Sequence, residues 1–303
     1  MIYTITLNPS IDYVVFTDQF KVGDLNRATS TFKFAGGKGI NVSRVLKTLD
    51  EPSIALGFTG GFPGAFIKQT LETSGINTQF IQVEEDTRIN IKLKGVTETE
   101  INAPGPKVSD QHLLALLSQL EQLTQEDFVI IAGSVPSSIQ PDIYAVIAET
   151  LSKHNVPFVV DAEKSLLTQT LKHQPLFVKP NKAELEAMFD VQINNDQDTI
   201  DAARQLQHQG AQNVLVSLGG EGAILVTKDA CYKAVVPEGK VINTVGSGDS
   251  TVAGMVAGFS KGKDIIDSLK QAVACGTATA FTEDLATREQ IDAIINNITI
   301  TKI

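Results

Sequence analysis

Short β-branched runs alternate with stretches of helical spacing along most of this 303-residue sequence. Runs such as IYTITL, FVIIA and FVVDA have the length and apolarity of buried strands, whereas NVSRVLKTL and DQHLLALLSQLEQL repeat apolar residues at helical intervals. Strand, helix and strand in succession form right-handed crossovers, which place parallel strands in one sheet with helices on both faces. The alternation therefore predicts an α/β fold with a mostly parallel central sheet.

Two segments break the alternation. IDYVVFTDQF with ATSTFKF, and RINIKLKGVTETEIN, are strand–turn–strand patterns without an intervening helix. They predict a small antiparallel lid, with strands from about 12–34 and 88–103, which covers one end of the main sheet. No repeat, low-complexity tract or linker is visible, so we expect residues 1–303 to form a single domain with this lid.

The net charge limits the classes of molecule that the chain can bind. There are 25 Lys and Arg against 35 Asp and Glu, which gives a net charge of −10 and argues against nucleic acid or an anionic membrane as the main partner. A small anionic ligand stays possible, since a few local donors suffice for it. The N-terminus has no signal-peptide pattern, and two widely separated cysteines with four scattered histidines form no zinc pattern, so we expect a cytoplasmic protein.

Polar clusters follow nearly every predicted strand. LNPSID, AGSVP, VVDAEK, VKPNKAE and VSLGGEG each contain Gly, Ser, Asn, Asp or Lys directly after an apolar run. Ligands of open α/β sheets bind beyond the carboxyl ends of the strands. The clusters therefore predict one large polar site at that edge.

NTVGSGDSTVAG is the cluster with the clearest chemistry, although it fits neither the P-loop nor the dinucleotide-binding spacing. Gly246, Ser247 and Gly248 can turn their amides toward an anion at the start of a helix that we expect to begin at Asp249. Asp249 could then accept a proton from an approaching hydroxyl. The alternative is that Asp249 only caps the helix.

Two further segments combine cations with amides or hydroxyl-binding groups. In AGGKGIN, Lys38 and Asn41 open a helix and suit a phosphate or sugar hydroxyls, unless Lys38 is an ordinary surface lysine. In DTRINIKL, Arg88 and Asn90 share one face of a strand, where Arg88 could grip a phosphate or simply be solvated.

VKPNKAE places Lys179, Asn181 and Glu184 where a strand passes into a helix. The spacing of Asn181 and Glu184 is that of a capping box, and the same carboxylate could instead hold a water of hydrated Mg²⁺. The glycine turn between Gly219 and Gly222 is either a plain hairpin or a loop that contacts a nucleotide.

Together and in this order, TLNPSIDY, AGGKGINVSRVL, TRIN, AGSVP, VKPNKAE, VSLGGEG and NTVGSGDSTVAGMVAG resemble the phosphofructokinase B branch of the ribokinase-type sugar kinases. The likeness extends from Ile2 to ACGTATAFTEDLAT. It implies a three-layer ribokinase-like fold with a β lid, and ATP and Mg²⁺ as cofactors. FAGGKGINVSRVLKTLD and ETEINAPGP are most similar to the branch members that phosphorylate fructose 1-phosphate at its 6-hydroxyl; tagatose-6-phosphate kinase is the alternative.

The resemblance assigns roles to individual residues of this sequence. It implies that Asp249 is the general base beside an anion hole. It also implies three binding groups. The sugar site comprises Asp12, Gly37, Asn41, Asn90 and Ser134, and the cations near the substrate phosphate are Arg27, Lys38 and Arg88. Around ATP and Mg²⁺ lie Lys179, Asn181, Glu184, Ser217, Gly219, Gly220 and Gly222.

Other functional classes fit less well. A sugar-phosphate sensor without activity would not need both Asp249 and Glu184, and a nicotinamide-dependent oxidoreductase needs a GxGxxG where TITLNPSID stands. Lids of the family often pair between subunits, so the resemblance also implies a homodimer. Such pairing would cover the edges and the apolar face of a small sheet.

Overall fold

The central sheet contains eleven strands, and a separate sheet contains four. The computed structural model describes all 303 residues. The strands in chain order are β1 (Ile2–Thr6), β2 (Ser10–Phe16), β3 (Ser30–Gly36), β4 (Ser53–Gly60), β5 (Asn77–Thr78), β6 (Ile81–Val83), β7 (Arg88–Lys94), β8 (Thr99–Ile101), β9 (Phe128–Ala132), β10 (Phe158–Asp161), β11 (Phe177–Val178), β12 (Val214–Ser217), β13 (Ala223–Val226), β14 (Cys231–Val235) and β15 (Thr299–Lys302).

The central strands lie in the order β15-β14-β13-β12-β11-β10-β9-β1-β4-β5, and β6 also pairs with β4. From β5 to β12 all ladders are parallel, whereas β12, β13, β14 and β15 run antiparallel to one another. The prediction of a mostly parallel central sheet is confirmed. The parallel strands end together at one edge.

Helices cover both faces of this sheet. They are α1 (Lys38–Thr48), α2 (Gly61–Thr73), α3 (Asp110–Leu120), α4 (Ile143–Lys153), α5 (Lys164–Thr168), α6 (Lys182–Phe189), α7 (Asp196–His208), α8 (Ser247–Ser260), α9 (Ile265–Ala280) and α10 (Arg288–Ile295). One apolar core packs α3, α4 and α7 on the sheet, and a second packs α1, α8 and α9 on the other face, which gives three layers. None of the helices is both long and apolar enough to cross a bilayer.

The four-stranded sheet is the predicted lid, with the order β3-β2-β7-β8. Ile11 and Ala35 of the lid pack on Ile67 and Leu71 of α2, which fixes the lid to the body. The expectation of an antiparallel lid was wrong for one ladder, because β2 and β7 run parallel. The chain reaches β7 only after passing through β4, α2 and β6, so no hairpin joins these two strands.

Helix α8 begins two residues earlier than the sequence suggested. Gly246 is its N-cap in the left-handed region at φ 80°, and a Cβ there would lie 2.6 Å from Leu285 Cδ2. Glycine is the residue that adopts this conformation without strain. Asp249 is therefore the third residue of the helix, and the interpretation of it as a capping aspartate was wrong.

Candidate active site

One large cavity lies where the parallel strands end, and lid residues form part of its wall. Its volume is about 1250 Å³, and only 7 of its 39 lining residues are hydrophobic, so it suits a large charged ligand. The residues singled out in the sequence line it, with one exception: Asp12, Gly37, Lys38, Asn41, Arg88, Asn90, Ser134, Lys179, Asn181, Glu184, Ser217, Gly219, Gly220, Gly222, Gly246, Ser247, Gly248 and Asp249.

Arg27 is the exception. It lies in the exposed loop between β2 and β3, makes no hydrogen bond or ion pair, and does not line the cavity. A single chain therefore does not bring Arg27 to the substrate, because the loop extends from the far end of the lid strands.

Asp249 is buried at the cavity wall, with 6% of its surface exposed. Asn41 donates a hydrogen bond from Nδ2 to Asp249 Oδ2 at 2.8 Å, and Oδ1 has no partner within the protein. Burial and the nearby charge of Asp161 raise the pKa of Asp249 to about 6. The helix terminus alone would keep the carboxylate ionised, but desolvation outweighs it here. The group is thus a stronger base than an ordinary aspartate and still mostly charged at neutral pH.

The start of α8 presents free amides beside this carboxylate. The N–H groups of Gly248 and Asp249 have no acceptor in the protein, as expected in the first turn of a helix, whereas Ser247 N–H donates to Thr244 O at 3.2 Å. The Ser247 hydroxyl is buried without a partner. These groups can bind an anion within reach of Asp249.

Two lysines converge on Asp161, a residue that the sequence analysis did not select. Asp161 Oδ1 lies 3.2 Å from Lys38 Nζ and 3.5 Å from Lys179 Nζ. Burial disfavours the charged carboxylate, but both ammonium groups hold the pKa of Asp161 below its usual value. The pKa of Lys38 is raised, because the charges of Asp161 and Asp249 outweigh the effect of burial. Asp161 thereby holds two cations next to each other at the cavity. In the sequence, its position at the end of the strand FVVD could have marked it as a site residue.

The lid wall carries a second hydrogen-bonded group. Asp12 Oδ1 accepts from Ser10 Oγ at 2.8 Å and from Asn90 Nδ2 at 3.2 Å, on neighbouring strands of the lid. Arg88 donates from Nη2 to Asn8 O at 2.9 Å and from Nη1 to Ala103 O at 3.1 Å, and its Nε–H is buried without a partner. Two nitrogens of the guanidinium thus fix the lid to the main sheet. Only part of the Arg88 side chain therefore remains available to bind a phosphate.

Asn181 and Glu184 form a reciprocal capping box at the start of α6. Glu184 N–H donates to Asn181 Oδ1 at 2.8 Å, and Asn181 N–H donates to Glu184 Oε2 at 2.7 Å. Glu184 Oε1 has no protein partner, and Glu184 lines the cavity. No cluster of three metal-ligating side chains exists in the chain. This donor set fits Mg²⁺ bound mainly through water and phosphate oxygens, which is the habit of that ion.

The opposite end of the cavity combines a glycine turn with apolar side chains. The turn joins β12 to the antiparallel β13, as the hairpin interpretation required, and the amides of Gly219 and Gly220 are free. No sequence motif predicted the apolar wall, which consists of Val236, Pro237, Val241, Val245, Val273, Ala280 and Phe281. These residues come from an irregular segment after β14 and from α9, where no motif marks them.

Comparisons with known proteins show the family of the chain. The chain matches the pfkB family carbohydrate kinase profile over residues 4–291. A 1-phosphofructokinase of Bacillus subtilis (strain 168) is 45% identical over 303 residues, covering 100% of both chains. A D-tagatose-1-phosphate kinase of Bacillus licheniformis is 33% identical over 302 residues, covering 99% of each chain.

A solved structure supports the fold directly. A Staphylococcus aureus protein, provisionally assigned as a phosphofructokinase, superposes with a TM-score of 0.92 at 60% identity. The match covers 100% of this chain and 99% of that one. The fold is therefore that of a known group of proteins.

Proposed function

The chain belongs to the pfkB family of carbohydrate kinases, and we propose that it transfers the γ-phosphoryl group of ATP to the 6-hydroxyl of fructose 1-phosphate. The observation that carries this proposal is the pairing at the start of α8. A carboxylate oxygen without a protein partner, Asp249 Oδ1, lies beside the free amides of Gly248 and Asp249. A base next to an anion site is what phosphoryl transfer to an alcohol requires.

The transfer is a direct displacement. The sugar O6 forms a bond to the γ-phosphorus as the bond between phosphorus and the bridging oxygen of ADP breaks. The proton of the hydroxyl passes to Asp249 Oδ1. Asn41 holds the other oxygen of Asp249, a residue of the cavity wall, so Oδ1 is free to accept the proton. Because the transition state is loose, the proton moves late and the base contributes about 10²- to 10⁴-fold.

The amides of α8 and the two lysines stabilise the charge that spreads over the moving phosphoryl group. Lys38 and Lys179 are held next to each other by Asp161, so their positions are fixed before the substrate binds. Fixed dipoles and charges in a buried site cost little reorganisation during the reaction. Lys38 is the cation that we assign to the anionic sugar, and Lys179 to the ATP phosphates.

Asp12, Gly37, Asn90 and Ser134 would bind the sugar hydroxyls, and Arg88 would complete the site through its unpaired Nε–H. Glu184 and the ATP phosphates would hold hydrated Mg²⁺, which neutralises phosphate charge when bound. Ser217 and the turn from Gly219 to Gly222 would line the nucleotide, and the apolar wall with Phe281 would pack on its base.

A coupled ADP-release assay with Mg·ATP tests the substrate assignment. It compares kcat/KM for fructose 1-phosphate, tagatose 1-phosphate, tagatose 6-phosphate and fructose 6-phosphate. We expect fructose 1-phosphate to be preferred by about 100-fold or more, which is roughly 2.7 kcal/mol of transition-state discrimination. A preference for either tagatose phosphate would leave the fold and the base intact and would contradict the substrate.

We also propose that two chains pair through the lid. Phe16, Phe32 and Phe34 are 39%, 51% and 36% exposed, and their rings form one cluster on the lid face that carries Asp12. Exposed aromatic clusters of this kind mark contact surfaces. The assignment of Arg27 to the substrate phosphate stays a prediction that depends on this pairing, because only a second chain could bring the residue near a cavity.

A further inference from the structure

Lys92, on a lid strand, lies close to two carboxylates, and the proposed reaction gives this lysine no role. Strand β7 alternates polar and apolar residues, so Arg88, Asn90, Lys92 and Lys94 share one face. The first two line the cavity, and Lys92 does not. The Lys92 side chain is nevertheless only 14% exposed. Lysine side chains are seldom this buried unless they are paired with an opposite charge.

The buried position of Lys92 is explained by two carboxylates. Lys92 Nζ lies 3.4 Å from Asp12 Oδ2 and 3.7 Å from Glu100 Oε1. Ser10 and Asn90 already occupy Asp12 Oδ1. The three contacts from Ser10, Asn90 and Lys92 therefore fix both oxygens of Asp12 in one orientation.

Asp12 and Glu100 both line the cavity. Two carboxylates at the sugar end would repel a sugar phosphate, since like charges at short range in a partly desolvated site interact strongly. Lys92 is the one ammonium group within 4 Å of either of them. Its single positive charge offsets one of their two negative charges, and it leaves a lone pair of Asp12 free for a sugar hydroxyl.

We propose that Lys92 is a positioning residue that adapts the sugar end of the cavity to anionic sugars, because it orients Asp12 and offsets part of the negative charge of Asp12 and Glu100. The inference rests on the proposed function, because it presupposes a sugar phosphate in this cavity. Lys92 acts through the two carboxylates and does not touch the substrate.

The first test replaces Lys92 by Met, with Lys94→Met as the matched control. Lys94 lies two residues further on the same strand face, and its pair with Glu98 at 2.6 Å is outside the cavity. We expect Lys92→Met to raise KM for fructose 1-phosphate about tenfold while kcat and KM for ATP change by less than about twofold. Lys92→Arg should restore most of the affinity, and Lys94→Met should behave like the wild type.

A second substitution separates charge from packing. In the Lys92→Met chain, Glu100→Gln removes one uncompensated carboxylate and should recover part of the lost affinity, about threefold or more. If Lys92 only stabilised the fold, Lys92→Met would lower the thermal stability together with the activity. Adding Glu100→Gln would then recover no affinity for the sugar phosphate. If Lys92→Met does not fold, Lys92→Gln provides the same comparison.

The outcomes distinguish this inference from the proposed function. If the wild type does not phosphorylate fructose 1-phosphate or another ketohexose phosphate, the proposed function fails. If it does, and Lys92→Met leaves KM for the sugar phosphate unchanged, or lowers kcat and KM for both substrates alike, the role of Lys92 is overturned.

Discussion

Replacing Asp249 by Asn removes the proposed base at almost constant shape. Asn can still pair with Asn41 by presenting its carbonyl oxygen, so the fold of the site should persist. Without a carboxylate to accept the proton, we expect kcat to fall by about 10²- to 10⁴-fold with little change in KM. The coupled ADP-release assay measures both quantities.

The pKa of Asp249 adds a second signature. With a pKa of about 6, the carboxylate is about 90% ionised at pH 7 and about 10% ionised at pH 5. The kcat/KM of the wild type should therefore fall below about pH 6. The residual activity of Asp249→Asn should lack this acid limb.

The same substitution should stabilise the protein at neutral pH. Burial raises the pKa of Asp249 from 3.8 to about 6, so the folded chain binds a proton that the unfolded chain has already released. The stability linked to this group is present below about pH 4 and is lost as pH rises through about 6. Removing the charge should thus raise the free energy of unfolding at pH 8 by an amount on the order of 3 kcal/mol, and by little at pH 4.

Asp267→Asn is the matched control, because Asp267 is also the third residue of its helix, α9, but is exposed. It should leave kcat unchanged and slightly lower stability through the helix dipole. Near-normal kcat in purified, folded Asp249→Asn would refute the assignment of the base. A loss of stability at pH 8 would refute the argument from desolvation.

Three further changes test the neighbouring groups. Lys38→Met should raise KM for fructose 1-phosphate by about tenfold or more and should also lower kcat, because it removes a fixed cation that serves both the sugar phosphate and the moving phosphoryl group; an unchanged KM, as expected for exposed Lys33→Met, would exclude Lys38 from the sugar-phosphate site. Glu184→Gln should raise the Mg²⁺ concentration needed for half-maximal activity several-fold without lowering Tm, because glutamine retains the capping box; an unaltered Mg²⁺ dependence would leave Glu184 as a cap alone. Phe32→Asp should convert a dimer into a monomer in sedimentation, whereas Phe62→Asp, at an exposed site outside the lid, should not; a monomeric wild type would contradict lid pairing.

Much of the fold and of the site follows from local patterns. Strand runs such as FVIIA and FVVDA are short, apolar and followed by polar residues, so they predicted both the sheet and its ligand-binding edge. The capping box of Asn181 and Glu184 needs only residues three positions apart, and it formed as the spacing indicated. Patterns of this kind depend on neighbours in the chain.

The remaining features depend on residues far apart in the chain. Gly246, the N-cap of α8, lies so close to Leu285 that a Cβ would clash, and the pKa of Asp249 depends on Asp161 and on burial. Neither contact has a trace in the local sequence around Asp249. The apolar wall near Phe281 likewise combines an irregular segment after β14 with residues of α9 that lie far along the chain, which is why composition and spacing did not reveal it.

The proposed reaction attaches the new phosphate to C6 of the sugar. In the most direct measurement, the chain is incubated with fructose 1-phosphate and Mg·ATP, and the product is identified by phosphorus-31 and carbon-13 NMR. We expect one new phosphate ester at C6, in amounts equal to the ADP released. ADP release without a sugar product, or a phosphate at another carbon, would contradict it.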